Sequence, residues 1–167
     1  MKKDVIMDMA EARSYIENSN KKAEIFVGAD SKRFTKDGKR FVGYVTLVIV
    51  HNKSTAGMGQ GCKIFKDVRI EHDFCELRTR LMREVEHAIR IGGELVGHDG
   101  SKNVIGKRPF QIHLDINPNP NYKSSVVVKE AIGWVIGMFG FEPKVKPESQ
   151  MASNGADWYA KRVQDIN

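Results

Sequence analysis

Strand-like runs of hydrophobic positions, alternating or β-branched, occur in four stretches of the chain. In EIFVGAD (24–30), Ile25 and Val27 fall on one face of a strand and Phe26, Gly28 and Asp30 on the other. FVGYVTLVIVH, from 41, is a longer run rich in β-branched and aromatic residues, and CKIFKDVRIE, from 62, alternates through Ile64, Val68 and Ile70. SKRFTKDGKR, with a Lys-Asp-Gly-Lys turn signal, joins the first two strands as a hairpin, and the Gly-rich NKSTAGMGQG leads to the third. FQIHLDIN (110–117) is a fourth strand, stopped by Pro-Asn-Pro-Asn because proline donates no ladder hydrogen bond. EPKVKPE reads as a short fifth strand.

Helical spacing governs the rest. AEARSYIEN (10–18) is a short helix, and FCELRTRLMREVEHAI (74–89) is an amphipathic one with a Gly92-Gly93 stop beyond it. SSVVVKEAIGWVIGMFG (124–140) is an apolar helix capped by Ser124 or Ser125 and expected to be buried against a sheet. Ser153-Asn154-Gly155 opens a last helix through ADWYAKRVQ. Antiparallel strands followed by β-α-β crossovers imply an α/β fold, a mixed sheet with helices on its faces. At 167 residues and 41% hydrophobic content, with no linker or internal repeat, a single domain over 1–167 is expected, 1–22 serving as N-terminal helix and lead-in.

Charge narrows the class of partner. A net charge of +6 and a pI near 9.3 favour phosphate-bearing molecules. The start, MKKDVIMDMAEARS, has an apolar run too short for a secretion signal, and the longest apolar run, 41–50, is half what a membrane helix needs. Cys62 and Cys75 form no Cys-x-x-Cys pair, and His72 with Cys75 lacks the second pair of a closed zinc site. A reducing, cytoplasmic location without membrane contact is the expectation. Gly59-Gln60-Gly61 is followed by no phosphate-loop or dinucleotide signature.

The carboxylates carry the chemistry. On a wheel of about 100° per residue centred on Leu81, Phe74, Leu77, Val85 and Ala88 form the buried stripe, Glu84 lies at its border, and Glu76 and Glu86 point away. A carboxylate turned toward a core must be protonated, paired with an Arg or Lys, or bound to a cation. Asp30 and Asp115 sit near the C-terminal ends of the first and fourth strands, and Asp157 in the first turn of the last helix. Each has a local explanation: a strand-end turn for Asp30, an Asx turn for Asp115, a helix-dipole charge for Asp157. As a set, the topology lets them converge with Glu84. Four such acids repel unless they hold one or two hard divalent cations, and basic surroundings then suggest a phosphate ester as substrate.

This pattern resembles the ribonuclease H-like superfamily, whose core is a five-stranded mixed sheet with the first three strands antiparallel. GADSK (28–32), HLDINPN (113–119) and KPESQMASNGADWYAKR (146–162) resemble, more narrowly, the bacterial YkuK-like family of predicted ribonuclease H-related nucleases. The resemblance implies a metal-dependent nuclease in which Asp30, Glu84, Asp115 and Asp157 hold two Mg²⁺ or Mn²⁺ ions. One ion would activate the attacking water and the other would stabilise the leaving 3′ oxygen, giving 5′-phosphate and 3′-hydroxyl ends. The chain departs from better-known members in three ways. Glu84 lies about three turns into a helix that begins near Asp73, with Glu76 as the fallback. Asp30-Ser31-Lys32 breaks the Asp-x-Glu of the proofreading exonucleases, and no His follows His113 to assist the last acid, unless His98 does so from its loop.

Lys32, Arg33, Lys123, Lys161 and Arg162 flank the acids and are candidate phosphate contacts, with ordinary solvated surface as the alternative. His113 shares the strand face of Asp115, either to orient a metal ligand or as a satisfied buried imidazole. Two rival functions stand: a nucleic-acid-binding protein of this fold with little catalysis, and an ATP-using member of the actin and sugar-kinase group. The second would need a duplicated domain, which this length hardly permits.

Overall fold

A computed structural model describes residues 4–74 and 76–163. Cys75 lies outside the described residues, as do 1–3 and 164–167, so the His72/Cys75 pairing and the expected end of the last helix at Gln164 fall beyond them. Helix α1 (Met9–Asn18) precedes three strands, β1 (Glu24–Lys36), β2 (Lys39–Lys53) and β3 (Gly59–His72). Helix α2 (Leu77–Val96), strand β4 (Phe110–Leu114), a 3₁₀ turn (Lys123–Val127), α3 (Val128–Phe139) and α4 (Gln150–Ala160) follow.

The sheet has the order β3-β2-β1-β4, with β1–β2 and β2–β3 antiparallel and β1–β4 parallel. It is a mixed sheet of four strands, not five. EPKVKPE, expected as a fifth strand, runs along the outer edge of β4 without forming one, with Lys144 N–H donating to Ile112 O, Leu114 N–H to Lys144 O and Lys146 N–H to Ile116 O at 2.8–2.9 Å. Pro143 and Pro147 have no N–H to extend that ladder, so it closes as one isolated bridge, His113 with Lys144.

Alternation along the strands gives the sheet two apolar faces. Ile25, Val27, Ala29, Ile112 and Leu114 face α1, α2 and α3, where Ala12, Ile16, Leu81, Val85, Ala88 and Ala131 complete the larger core. Phe26, Val45, Leu47, Ile49 and Val68 face Ala156, Ala160 and Val163 at the other side. Asp67, 2% exposed, ties the N-terminal segment to the first layer: it accepts from Met7 N–H and pairs with Arg69 and Arg90. Burial pushes its pKa up, but the Arg69 hydrogen bond, the Met7 amide and both guanidinium charges outweigh it, leaving the carboxyl below its usual range.

Three helices depart from expectation. Helix α2 does not start at Phe74, which is 88% exposed, and it runs through Gly92-Gly93 to a left-handed Gly97. Gly92 lets two aromatic rings approach the helix closely: a Cβ there would stand 3.1 Å from Phe139 Cζ and 3.4 Å from Phe110 Cζ. Helix α3 is only half-buried: Ala131 and Val135 face the core while Trp134, Ile136 and Met138 are exposed, and Ser124 accepts from Asn117 N–H instead of capping the helix. Helix α4 begins at Gln150, earlier than Ser153, which carries Asp157 beyond the first turn.

Close approach holds α4 and its end on the sheet. A Cβ on Gly43 of β2 would stand 2.5 Å from Val163 Cγ2, and one on Gly155 would stand 3.1 Å from Leu47 Cδ1. Gly43→Ala is therefore expected to destabilise the fold by about 1–3 kcal/mol, lowering the melting temperature by about 2–4 °C per kcal/mol in a thermal unfolding scan. An unchanged melting temperature would mean that this end of the helix does not pack as described.

A carboxylate cluster at the end of the fourth strand

β1 pairs with β2 along its whole length but with β4 only from Ile25 to Ala29. The last parallel pair is Ala29 with Leu114, so the next residues on each strand, Asp30 and Asp115, come side by side as β4 stops. By alternation both belong to the Phe26 face, which is covered by α4, the helix that carries Asp157. Ser31 turns to the opposite face, toward α2, where its hydroxyl donates to Glu84 Oε1.

The four acids proposed from the sequence are thus brought together. Asp30 is raised from 3.8 to about 7, first by burial and then by the charges of Asp115 and Asp157, against a lowering by Ser31 N–H and Arg80. Glu84 is 4% exposed and pushed well above the usual carboxylate range, first by burial and next by Asp30, with Asp115 adding to it. Glu76, the fallback, is exposed at the N-cap of α2. Because α2 starts at Leu77, Glu84 lies two turns into the helix, not three.

Cations enclose the cluster. Lys146 Nζ is 2.7 Å from Asp115 Oδ1, and Lys161 Nζ is 2.6 Å from Asp157 Oδ2. Arg80 donates to Ser31 Oγ at 2.8 Å and stands 3.9 Å from Glu84 Oε1. The Asp115 hydrogen bond, followed by the charges of Asp115, Asp30 and Asp157, raises Lys146 above its ordinary value despite partial burial. With these pairings in place, no three His, Cys, Asp or Glu side chains among the described residues are arranged as a ready ligand set.

Other candidates are more scattered. Of the flanking cations, Lys161 alone meets an acid of the cluster: Arg33 pairs with Asp73 at 2.9 Å, and Arg162 lies over Trp158 at 3.9 Å. Lys32 and Lys123 are exposed. His113 is buried, meets Gln111 Oε1 at 2.9 Å and packs edge-on against Phe26, and burial lowers its pKa. His98 is exposed and stacks on Phe139. Ser31, Arg80 and Lys146 escaped the sequence reading. The four-residue spacing of Arg80 and Glu84 on one helix was a signal for that pair. Lys146 gave none, because its segment reads as a strand.

The raised carboxyls set a pH dependence. Folded Asp30 holds a proton that the unfolded chain has released, so its charge destabilises the metal-free fold fully above about 7, and this cost fades as pH falls toward 3.8. Asp30→Asn is expected to raise the metal-free melting temperature by several °C at pH 8 and by much less near pH 4. Lys146→Met, which strips the cluster of an ammonium, should lower it at pH 8. Thermal scans across pH check both, and equal shifts at all pH values would contradict the clustering.

Among the described residues no helix is long and apolar enough to cross a membrane. No curated protein and no solved structure matches the chain. A family match does exist, described as ribonuclease H-like, and it spans residues 6–161, taking in all four acids and the whole sheet. A mixed sheet flanked by helices, with acids gathered where β1 outruns β4, accords with that match, and the chain belongs to the ribonuclease H-like family.

Proposed function

We propose that this protein is a divalent-metal-dependent nuclease that hydrolyses phosphodiester bonds in nucleic acid. The observation that carries the reading is the convergence of Asp30, Glu84, Asp115 and Asp157, where burial first and the neighbouring acids' charges next hold Asp30 and Glu84 above their ordinary values. Their donor set, oxygen throughout, suits Mg²⁺ or Mn²⁺. Family membership points to a nuclease or a nucleic-acid-related function, and the narrower YkuK-like motifs, HLDINPN with Asp115 and the segment around Asp157, support the same choice.

In this reading Asp30, Glu84, Asp115 and Asp157 are the ligands. Bound there, a pair of such ions would lower the pKa of the attacking water and neutralise the leaving 3′ oxygen. Ser31 and Arg80 hold Glu84 in place from its own side of the sheet. Partial burial of Asp30 limits solvent screening at that carboxyl, so a cation beside it is held in a stronger field than on the open surface. Lys146 and Lys161 must yield their carboxylates to the metal and are then free to meet substrate phosphates.

A second reading, a nucleic-acid-binding protein of little catalytic power, draws on those same lysine pairings, which already satisfy Asp115 and Asp157. The two separate on a panel of single-stranded, duplex, hybrid and branched substrates incubated with Mg²⁺ or Mn²⁺. The nuclease reading expects products with 5′-phosphate ends and a loss in Asp115→Asn beyond the roughly 10–100-fold typical of groups that merely support a ligand. Cleavage unaffected by that substitution would refute the assignment. Salt-steep binding that survives Asp30→Asn, with no cleavage in either metal, would establish the second reading instead.

A further inference from the structure

Beyond the acid cluster, β1 and β2 continue as a two-stranded arm, and β3 follows it as far as His72. One row of this arm is aromatic across all three strands, since Phe34 pairs with Phe41 and Phe41 with His72. The rings are near-parallel: Phe34–Phe41 at 5.6 Å and 20°, Phe41–His72 at 4.7 Å and 31°, and His72–Phe74 at 5.5 Å and 24°. Phe34 is rooted against the core beneath α4, while Phe74 at the far end is 88% exposed. A lone exposed ring needs no explanation, but a stack of ring faces that ends in solvent offers a surface for another flat ring.

Charge on the same arm is one-sided. In its β1–β2 hairpin (31–42), Lys32, Arg33, Lys36, Lys39 and Arg40 stand against one acid, Asp37, while Glu71 and Asp73 lie at and just past the end of β3. Arg33 is engaged by Asp73, but Lys36 and Lys39 are exposed and directly paired across the strands, an arrangement that is unfavourable until an anion relieves it. Asp30, Lys32 and Phe34 follow one another on a single face of β1, so the aromatic row begins about 13 Å from the acid cluster.

We propose that this arm is a stacking platform for the unpaired bases of a single-stranded polynucleotide, with Phe74 as its outer ring and Lys36 and Lys39 holding phosphates. The inference rests on the nuclease reading for what becomes of the strand, but not for its binding. A duplex buries base faces in its own stack, so ring-on-ring contact selects an unstacked strand, and it does so without regard to sequence or sugar because every base has a flat face. The basic arm supplies the salt-dependent part of the affinity.

Fluorescence anisotropy without divalent ions, in an Asp115→Asn background, reads binding apart from cleavage. The probes are short oligoadenylates of ribose and of deoxyribose, a duplex of equal length and an abasic strand. Both single strands should bind more tightly than the duplex or the abasic strand. Phe74→Ala should weaken the single strands about fivefold or more, Phe74→Tyr should restore them, and neither should move the abasic strand. Lys36→Gln with Lys39→Gln should weaken every probe and flatten the salt dependence. Single-strand affinity unchanged by Phe74→Ala, or matched by the duplex or the abasic strand, overturns the platform. Absence of polynucleotide binding overturns it as well. Phe74-dependent binding in a protein that cleaves nothing with either metal would leave the platform standing and remove the nuclease reading. Cleavage with no Phe74 dependence would do the reverse.

Discussion

Burying carboxylates beside one another is unfavourable twice over, through lost hydration and through like-charge repulsion, and this chain does so at the one place where β1 extends past β4. Asp30 and Asp115 emerge there in register, Asp157 comes down on their face from α4, and Glu84 arrives from α2. Lys146, Lys161 and Arg80 are the countercharges. In the proposed reading, a divalent cation is what would relieve this concentration of negative charge.

Packing on both faces of the sheet serves that arrangement. The larger core fixes α2, which puts Glu84 within reach of Ser31. The smaller core, with Gly155 against Leu47 and Gly43 under Val163, seats α4 close enough for Asp157 to be felt at Asp30. EPKVKPE is held along β4 by backbone hydrogen bonds, and that fixes the origin of Lys146 beside Asp115. The aromatic arm grows out of the same strand face, so the proposed stacking platform and the acid cluster share β1 as a common frame.

Much of this was legible in residue order. Alternation and β-branched apolar runs located all four paired strands, though β1 and β2 run longer than their apolar cores because hairpin pairing carries polar residues with it. The helical wheel separated Glu84 from Glu76, and the burial of the one and exposure of the other follow it. The glycine pair at 92–93 misled because glycine is read locally as a stop, whereas here it admits Phe139 and Phe110 to the helix surface. Phe74 misled because its spacing suits the buried stripe while the helix begins three residues later.

The sequence by itself determined the class of fold, the candidate acids and the net basic charge, since periodicity, residue type and charge are local properties of the chain. Tertiary structure alone decided that β4 ends one row short of Asp30, that a lysine from a strand-like segment meets Asp115, and that Phe34, Phe41, His72 and Phe74 stack as one row. The reason is physical: strand register, close helix approach and the field at a buried carboxyl all depend on groups distant along the chain, and their positions are settled only when both faces of the sheet are packed at once.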